Sequence, residues 1–293
     1  MNFLAQQILW GAVLPALIAL AVLVVFNWRL GRGAGVSLHW GTPVALTAGY
    51  LFAHWRIVGL PLSFPPLDSN EWLFVMGVVV TLWAIVEHFT ARWERARAAA
   101  RLVLAGAVAW LVLKPLIGSV WQGSAWYFWW GGLTLGWWLW WSLQAGLADR
   151  LPGPVVPLVL SMVAGGGGLI LLWSNSSSLS QLGGAVAAVV GALVPLMLWR
   201  RDVLVGASAI APAVGLLGLV WINAIAFVPV PAWRIAVLAI ASLTPLLALL
   251  PAFKRRSLWL SVAVSAVVTA IVLGALMLPT YRAYVASAQT YGY

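Results

Sequence analysis

Glu87 and His88 stand next to each other in the segment AIVEHFTARWERAR, where an apolar run ends in a cluster of arginines. A carboxylate beside an imidazole that titrates near neutral pH can relay protons or act as an acid–base pair on a lipid. The structural alternative is that both side chains lie at the edge of a membrane, where the arginines neutralise the carboxylate. We treat Glu87 and His88 as candidate coupling residues, with the edge position as the alternative.

Two further polar residues fall inside long apolar runs, where polar groups are costly and therefore informative. Lys114 lies in the outer half of one run, next to Pro115. Its aliphatic stem can carry the ammonium to the headgroups, and a role as a substrate or counter-ion residue is the alternative. Asn223, near the end of another run, is expected to bond a neighbouring helix or a headgroup.

The histidines allow one remote cofactor hypothesis. His39 and His88 fall near the same predicted face on consecutive spans, so they can ligate a haem b from two sides. The alternative is that both are polar caps at the membrane edge. Because the chain has no cysteine and only 6 acidic residues, thiolate chemistry is excluded and few ligands remain for metal or hydrolytic sites. We therefore predict no metal site, no catalytic residue and no enzymatic activity.

Two segments are expected to interrupt helices. Pro15 lies near the centre of the first apolar run, and Gly165, Gly166, Gly167 and Gly168 follow one another in the sixth. Proline removes a backbone donor, and consecutive glycines weaken a helix, so both segments are candidates for a substrate site. A simple kink and a close-packing face of small residues are the alternatives.

Tryptophans are concentrated in the segment SAWYFWWGGLTLGWWLWWSLQ, which contains seven of the 21 in the chain. They form two groups separated by GGLTLG, as two belts at opposite headgroup layers would require. A stacking surface for an apolar ligand is the alternative, and contact with another subunit is a third. Trp137 and Trp138 lie too deep for a headgroup layer, so they are the candidate aromatic surface.

These residues must be positioned by helices in a membrane. The chain is 63% hydrophobic and 8% charged, with a mean hydropathy of +1.01. Apolar runs of about 20 residues, each long enough to cross ~30 Å of hydrocarbon as a helix, recur along it. The sequence therefore predicts an all-α, polytopic integral membrane protein with about ten transmembrane helices, in contact with the lipid bilayer. The ten predicted spans are Phe3–Phe26, Trp40–Gly59, Trp72–Phe89, Arg101–Val120, Trp126–Leu147, Val155–Trp173, Leu182–Trp199, Val203–Ile225, Trp233–Leu250 and Leu258–Leu278.

The basic residues orient these spans. Twelve of the 16 fall in one set of alternate loops, whereas only Arg56, Arg234 and Arg282 fall on the other side. By the positive-inside rule the first set is cytoplasmic, so both termini are predicted to face outward. The basic residues form short clusters between apolar runs instead of one stripe, which argues against a nucleic-acid partner. The composition, rich in arginine and alanine, indicates a bacterial cytoplasmic membrane.

The chain is expected to form a single transmembrane domain over residues 1–293. Its halves, 1–148 and 149–278, contain short similar segments in the same order, such as HWRIVG with LWRRDVLVG and WAIVEHF with WINAIAF. This suggests a 5+5 inverted repeat, although chance resemblance in so tryptophan-rich a sequence is the alternative. Residues 279–293, with four of the 6 tyrosines, are expected to lie on the outer surface. The plan resembles that of ten-span permeases built from duplicated five-span units, which usually keep both termini inside.

The sequence leads to three functional hypotheses. The first is permease-like transport of a small or lipophilic solute, because inverted repeats and interrupted helices are frequent in secondary transporters. The second is a non-catalytic subunit or scaffold of a larger membrane complex, for which scarce buried charge is natural. The third is an enzyme that modifies lipids or glycolipids, with Glu87 and His88 as its acid–base pair.

Overall fold

The computed structural model describes residues 3–28, 37–61, 64–66, 68–117, 120–201, 203–251 and 258–291. These residues are almost entirely helical, and no extended strand occurs among them. The helices are α1 (Phe3–Ile8), a π-helical turn (Leu9–Val13), α2 (Leu14–Asn27), α3 (Gly41–Ile57), α4 (Ser69–Phe89), α5 (Glu94–Leu113), a 3₁₀ turn (Lys114–Leu116), α6 (Ala125–Ala148), α7 (Val155–Trp173), α8 (Ser177–Gly191), α9 (Leu193–Trp199), α10 (Ala207–Phe227), α11 (Ala232–Ala241), a second 3₁₀ turn (Thr244–Leu249) and α12 (Leu258–Tyr291).

Eight helical segments within the described ranges are long and apolar enough to cross a membrane, which confirms the all-α membrane class. They are Gln6–Asn27, Ser69–Phe89, Glu94–Leu116, Val155–Trp173, Ser177–Trp199, Ala207–Phe227, Ala232–Leu249 and Leu258–Ser287. The second and fifth predicted spans are also helices, α3 and α6, but neither is among these eight: α3 is shorter, and α6, although it has 24 residues, is less hydrophobic. α3 has only 17 residues and several polar ones, whereas α6 is rich in tryptophan, whose indole N–H is polar. The count of ten spans therefore stays a prediction.

The ends of the helices gather at two opposite faces of the bundle. Segments from the predicted cytoplasmic loops touch one another at one face. The contacts there are Arg200 Nη2 to the Trp28 carbonyl (3.2 Å), Leu38 N to the Leu204 carbonyl (3.0 Å), Gly153 N to the Val203 carbonyl (3.2 Å) and Arg201 over the Trp259 ring (5.3 Å). At the other face Arg56 lies 4.1 Å from the Trp10 ring, and Trp173 lies 5.3 Å from Tyr281. Arg29, Arg32, Lys254, Arg255 and Arg256 lie outside the described residues.

α10 forms the centre of the bundle and is buried along nearly its whole length. Its glycines allow this, because large side chains from neighbouring helices fit directly against its backbone. Gly215 receives Val80 of α4, and Gly218 receives the indole of Trp137 from α6. Small residues at such positions let membrane helices approach closely and gain dispersion contacts.

The packing does not confirm the inverted repeat. α2 packs on α3 and α7 packs on α8, as a duplication of the first two spans would produce. However, α6 packs against α10, while its counterpart α12 packs along α7 and the second 3₁₀ turn. The α7–α12 contact depends on Gly166, whose missing side chain leaves room for Leu273. The predicted outer tail continues α12 as a helix through Pro279 up to Tyr291.

Candidate functional site

A tryptophan-lined groove lies between α6, α10 and α11. It encloses about 390 Å³, which is within the size range of sites for small organic ligands. Its lining is almost wholly apolar. The lining residues are Gly132, Leu133, Gly136, Trp137, Leu139, Trp140, Leu143, Gly218, Trp221, Ile222, Ile225, Ala232, Ile235, Ala236, Ala239, Ile240 and Leu243.

The groove opens sideways, toward the surface that faces lipid in a membrane. Gly132 and Gly136 have open space where a side chain would stand, so the GGLTLG segment creates the opening. Leu139 and Ile240, on the two sides of the groove, are exposed to the surroundings of the bundle. Along α6 the groove extends from Gly132 to Leu143, about 16 Å at 1.5 Å per residue. It therefore spans roughly half of a ~30 Å hydrocarbon layer.

Tryptophan rings form the inner wall of this groove. Trp140 packs against Trp221 of α10 with ring centroids 4.8 Å apart, and Trp137 stacks on Trp141 at 5.8 Å. Trp137 and Trp140 are each only 5% exposed, so this part of α6 does not form the lipid-facing belt that the spacing predicts. Trp138 lies on another face of the helix, where its Nε1 donates to the Ala98 carbonyl of α5 (2.8 Å).

A buried polar network lies beside the end of the groove toward Leu143. Ser242 Oγ accepts hydrogen bonds from Trp140 Nε1 (2.7 Å) and from Gln144 Nε2 (2.6 Å), and it donates to the Ala239 carbonyl (2.6 Å). Gln144 Nε2 also donates to the Ser242 carbonyl (3.0 Å), whereas Gln144 Oε1 is buried without a hydrogen-bond partner among the described residues. An acceptor left unpaired in this way costs about 1–3 kcal/mol, so its environment suits a donor from elsewhere.

The ninth span is interrupted where it meets this network. α11 ends at Ala241, Ser242 and Leu243 form a turn, and the second 3₁₀ turn begins at Thr244 with Pro245 next to it. Proline at this position cannot donate its amide to the preceding turn. Discontinuous spans of this kind frequently form ligand sites in transporters, because their freed backbone groups can line a cavity.

Glu87 and His88 contact different partners. Glu87 is fully buried, where its Oε1 accepts a hydrogen bond from Arg101 and lies 3.7 Å from Arg97 Nη1. His88 is half-buried, with its Nδ1 3.3 Å from the Ser208 hydroxyl at the start of α10. The two neighbours are therefore not brought together as one acid–base pair, and Glu87 belongs to an ion cluster that links α4 to α5.

The packing around His39 and His88 does not favour a haem. His39 Nδ1 accepts a hydrogen bond from Gly41 N (3.1 Å), and its ring stacks on Phe26 at 5.7 Å. Trp40 lies 5.2 Å from His39 and 6.4 Å from Phe89. No group of three or more potential metal ligands occurs within the described ranges. Haem ligation by His39 and His88 stays a prediction.

The two predicted helix interruptions form packing contacts away from the groove. Pro15 is buried and follows the π-helical turn, and its carbonyl lies against Gly49 of α3. Gly168 lies against Gly183 of α8, and Gly167 is the one member of the glycine run whose neighbour, Trp221, also lines the groove. Gly165 is half-buried and remote from it.

Lys114 and Asn223 lie apart from the groove lining. Lys114 is exposed at the end of α5, where its stem can reach the headgroup layer. Asn223 is fully buried in α10 and donates from Nδ2 to the Leu219 carbonyl (3.0 Å), while its Oδ1 is among the buried atoms without a partner in the described part.

Sequence reasoning missed Trp221 in the groove wall and the polar network of Gln144 and Ser242 beside the groove. These three residues lie far apart in the chain, so no local pattern brings them together. The one usable signal was the spacing of Trp137, Trp140 and Gln144, since residues three, four and seven apart share a helix face. An amide on such an aromatic face indicates a buried polar contact.

Comparison with protein-family models, with curated proteins and with solved structures finds no match for this chain. Its class is therefore defined by the geometry alone. The chain is a bundle of membrane-type helices with a fully buried central helix, α10, and an apolar groove that opens to the side.

Proposed function

We propose that the protein is a permease-like carrier that takes a lipophilic solute into the groove between α6, α10 and α11. The observation that carries this proposal is the lateral opening of the groove at the depth of the hydrocarbon. A solute dissolved in the bilayer can enter such a groove without passing through water. A polar solute would have to leave its hydration shell for an apolar wall, which is unfavourable.

The composition of the groove supports an amphiphilic solute. Leu139, Ile240 and Ile225 offer the apolar surface for a chain or ring system. Flat indole rings, such as that of Trp140, stack on planar or extended groups with little loss of conformational freedom. The unpaired Oε1 of Gln144 suits a donor such as a hydroxyl group at one end of the solute.

The break in the ninth span supplies a way to change the groove. α11 and the second 3₁₀ turn meet at Ser242, where the helical hydrogen-bond ladder is already interrupted. Movement about this turn would shift Ile235, Ala239 and Ile240 relative to α6 while α10 stays in place. Such hinges at a few residues of a span are the usual means of opening and closing a site.

Filling the groove tests the proposal. Gly136→Leu places a side chain in open space within the groove, so the fold is expected to tolerate it while solute is excluded. In lipid nanodiscs, a fatty acid with a photoreactive diazirine should label the α11 peptide of the wild type about tenfold more than that of the variant. In liposomes, transfer of a fluorescent (NBD-labelled) phospholipid between leaflets should slow to a similar extent.

Gly131→Leu is the matched control, since Gly131 also has open space around it but does not line the groove. Both readouts should stay at the wild-type level in this variant. Equal labelling of the α11 peptide in the wild type and in Gly136→Leu would refute the groove as a ligand site. Labelling without any phospholipid transfer would show binding alone and would reject the transport part for this class of solute.

We also propose that the protein lies in a bacterial cytoplasmic membrane with both termini outside. The face that contains Arg92, Arg95, Arg150 and Arg200 is the cytoplasmic one by the positive-inside rule. A C-terminal alkaline phosphatase fusion should be active, because that enzyme folds only outside the cytoplasm, and a C-terminal green fluorescent fusion should stay dark. The opposite pair of results would reverse the orientation.

A non-catalytic subunit of a larger membrane complex is the second candidate function. The observation that favours it is the length of the groove, since an apolar span of a partner can also lie along about 16 Å of α6. Purification in mild detergent distinguishes the two functions. A stoichiometric partner that is lost in Gly136→Leu but kept in Gly131→Leu would support the subunit, and a lone chain supports the carrier.

A further inference from the structure

Buried polar side chains form a line through the interior of the bundle, apart from the groove. Three of them, His54, Tyr50 and Thr47, lie on successive turns of α3, and Thr81 of α4 faces Thr47. All four are buried against neighbouring helices. Polar groups within a membrane bundle are costly and commonly mark ion or proton paths, so a series of them along one helix requires an explanation.

The outer end of the line is His54. Its Nε2 lies 2.8 Å from the Asn70 carbonyl, which can only accept, so Nε2 carries a proton and Nδ1 has the free lone pair. That Nδ1 is buried and has no hydrogen-bond partner among the described residues. The carboxylate of Glu71, at the start of α4, is an electrostatic neighbour of the ring. The imidazole thus connects a carboxylate near the outer face with the interior.

Tyr50 continues the line one turn further in. Its ring lies 6.1 Å from that of His54, and its hydroxyl is fully buried without a partner within the described ranges. A buried hydroxyl without a partner destabilises a fold by about 1–3 kcal/mol, so phenylalanine would be the better residue for packing alone. The next hydroxyls, of Thr47 and Thr81, are hydrogen-bonded to each other. Thr81 also donates to the Gly77 carbonyl (2.7 Å), so Thr47 is the donor of that pair.

The inner end of the line reaches the cytoplasmic face through two branches. On α3, Thr42 Oγ1 accepts from Asn27 Nδ2 (3.3 Å), and Asn27 Oδ1 accepts from the backbone N–H of His39 (2.9 Å), so these amide groups position His39 at the inner end and pass no proton themselves. On α4, His88 lies two turns from Thr81 on the same helix face and contacts the Ser208 hydroxyl. His39 and His88 are electrostatic neighbours, so the branches converge.

We propose that this line, from His54 through Tyr50, Thr47 and Thr81 to His88, with His39 beside its inner end, conducts protons across the bundle. The steps between polar residues are up to five positions along α3, about 7.5 Å, and seven positions from Thr81 to His88 along α4, about 10.5 Å, so water molecules must enter these gaps when a proton passes. A proton taken up at Nδ1 of His54 while Nε2 releases its own leaves the ring neutral in the other tautomer, and a turn of the ring or exchange with water restores the starting form before the next proton passes. The hydroxyls of Tyr50 and of the threonines pass a proton in the same way, each accepting one and donating one.

Protons, rather than larger cations, fit this line. Leu46, Ala53 and Leu73, on the same two helices as the line, are fully buried, so no channel wide enough for a hydrated ion passes them in the described part of the chain. A proton needs no open pore, since it moves by exchange along hydrogen bonds.

This inference does not depend on the groove, because no residue of the line is among the groove lining. The experiment uses the full chain in liposomes that contain a pH-sensitive dye, with a potassium diffusion potential, negative inside, as the driving force. Wild-type protein should acidify the interior faster than protein-free liposomes. Tyr50→Phe and His54→Gln should each reduce the protein-dependent rate about tenfold or more, since each interrupts the series at one group.

Tyr50→Phe separates conduction from folding. Because the hydroxyl has no partner, its removal should leave the melting temperature unchanged or higher, whereas a structural role would lower it. The matched control is Tyr127→Phe on α6, where the tyrosine is 57% exposed, and its rate should equal that of the wild type. A wild-type rate equal to that of protein-free liposomes, or an undiminished rate in stable Tyr50→Phe, would overturn the proposal.

Discussion

Glu87→Ala is expected to destabilise the folded protein by about 3–5 kcal/mol, because it leaves two arginine charges without their counter-ion in a buried site. Glu87 is fully buried, and Arg101 is 6% exposed. In wild-type protein the carboxylate offsets part of the cost of taking the guanidinium groups away from water. Without it, α4 and α5 have to separate or admit water so that the arginines are solvated.

The free energy of unfolding, from titration with sodium dodecyl sulfate in mixed micelles, measures this effect. Glu94→Ala is the matched control, since Glu94 is exposed in the first turn of α5 and stabilises the helix by about 0.3–1 kcal/mol at most. Arg101→Ala should also cost several kcal/mol, and the double variant should cost less than the sum of the two. A loss for Glu87→Ala no larger than that for Glu94→Ala would show that the cluster is solvated.

Gly49→Ala is expected to have the second large effect, a loss of about 1–3 kcal/mol or more through overpacking. A β-carbon at position 49 would stand 2.5 Å from the Pro15 carbonyl oxygen and 2.7 Å from Val189 Cγ1. The first of these atoms belongs to the backbone of α2, so no rotamer change can relieve the contact. The helices α2, α3 and α8 would have to move apart at the point where they pack most closely.

The comparison variant is Gly131→Ala, because a β-carbon at that position meets nothing within 4 Å. There the gain in helix propensity should dominate and raise stability by up to about 1 kcal/mol. Thermal unfolding of both variants in the same detergent would therefore move in opposite directions. If the two melting temperatures shifted alike, the close approach of Gly49 to Pro15 would be wrong.

The helical segments were predictable because hydrocarbon imposes a strong local rule. A span needs about 20 apolar residues and must satisfy its own backbone, so the apolar runs of the chain become helices wherever they pack. α7 begins and ends at the predicted residues, Val155 and Trp173. The second and fifth spans are the ones whose polar or aromatic content weakens that rule, and their status as membrane spans stays a prediction.

The candidate site was only partly predictable. The depth of Trp137 along α6 indicated that it was not in a headgroup layer, and it lines the groove. Glu87 was interpreted either as a proton-relay residue or as an edge residue beside arginines, and it lies in an ion cluster with Arg97 and Arg101. Those arginines lie ten and fourteen residues further along the chain, across a turn, so no spacing within one helix could have paired them.

By itself the sequence determined that the chain forms apolar helices long enough to cross a membrane, and its charge clusters predict which face is cytoplasmic. Only the tertiary structure decided which helix faces meet. An apolar face is equally compatible with lipid and with another helix, since both are hydrocarbon. The choice between them depends on shape, such as the fit of Trp137 on Gly218 and the space left by Gly136. That fit arises between residues distant in the chain, and it makes the groove.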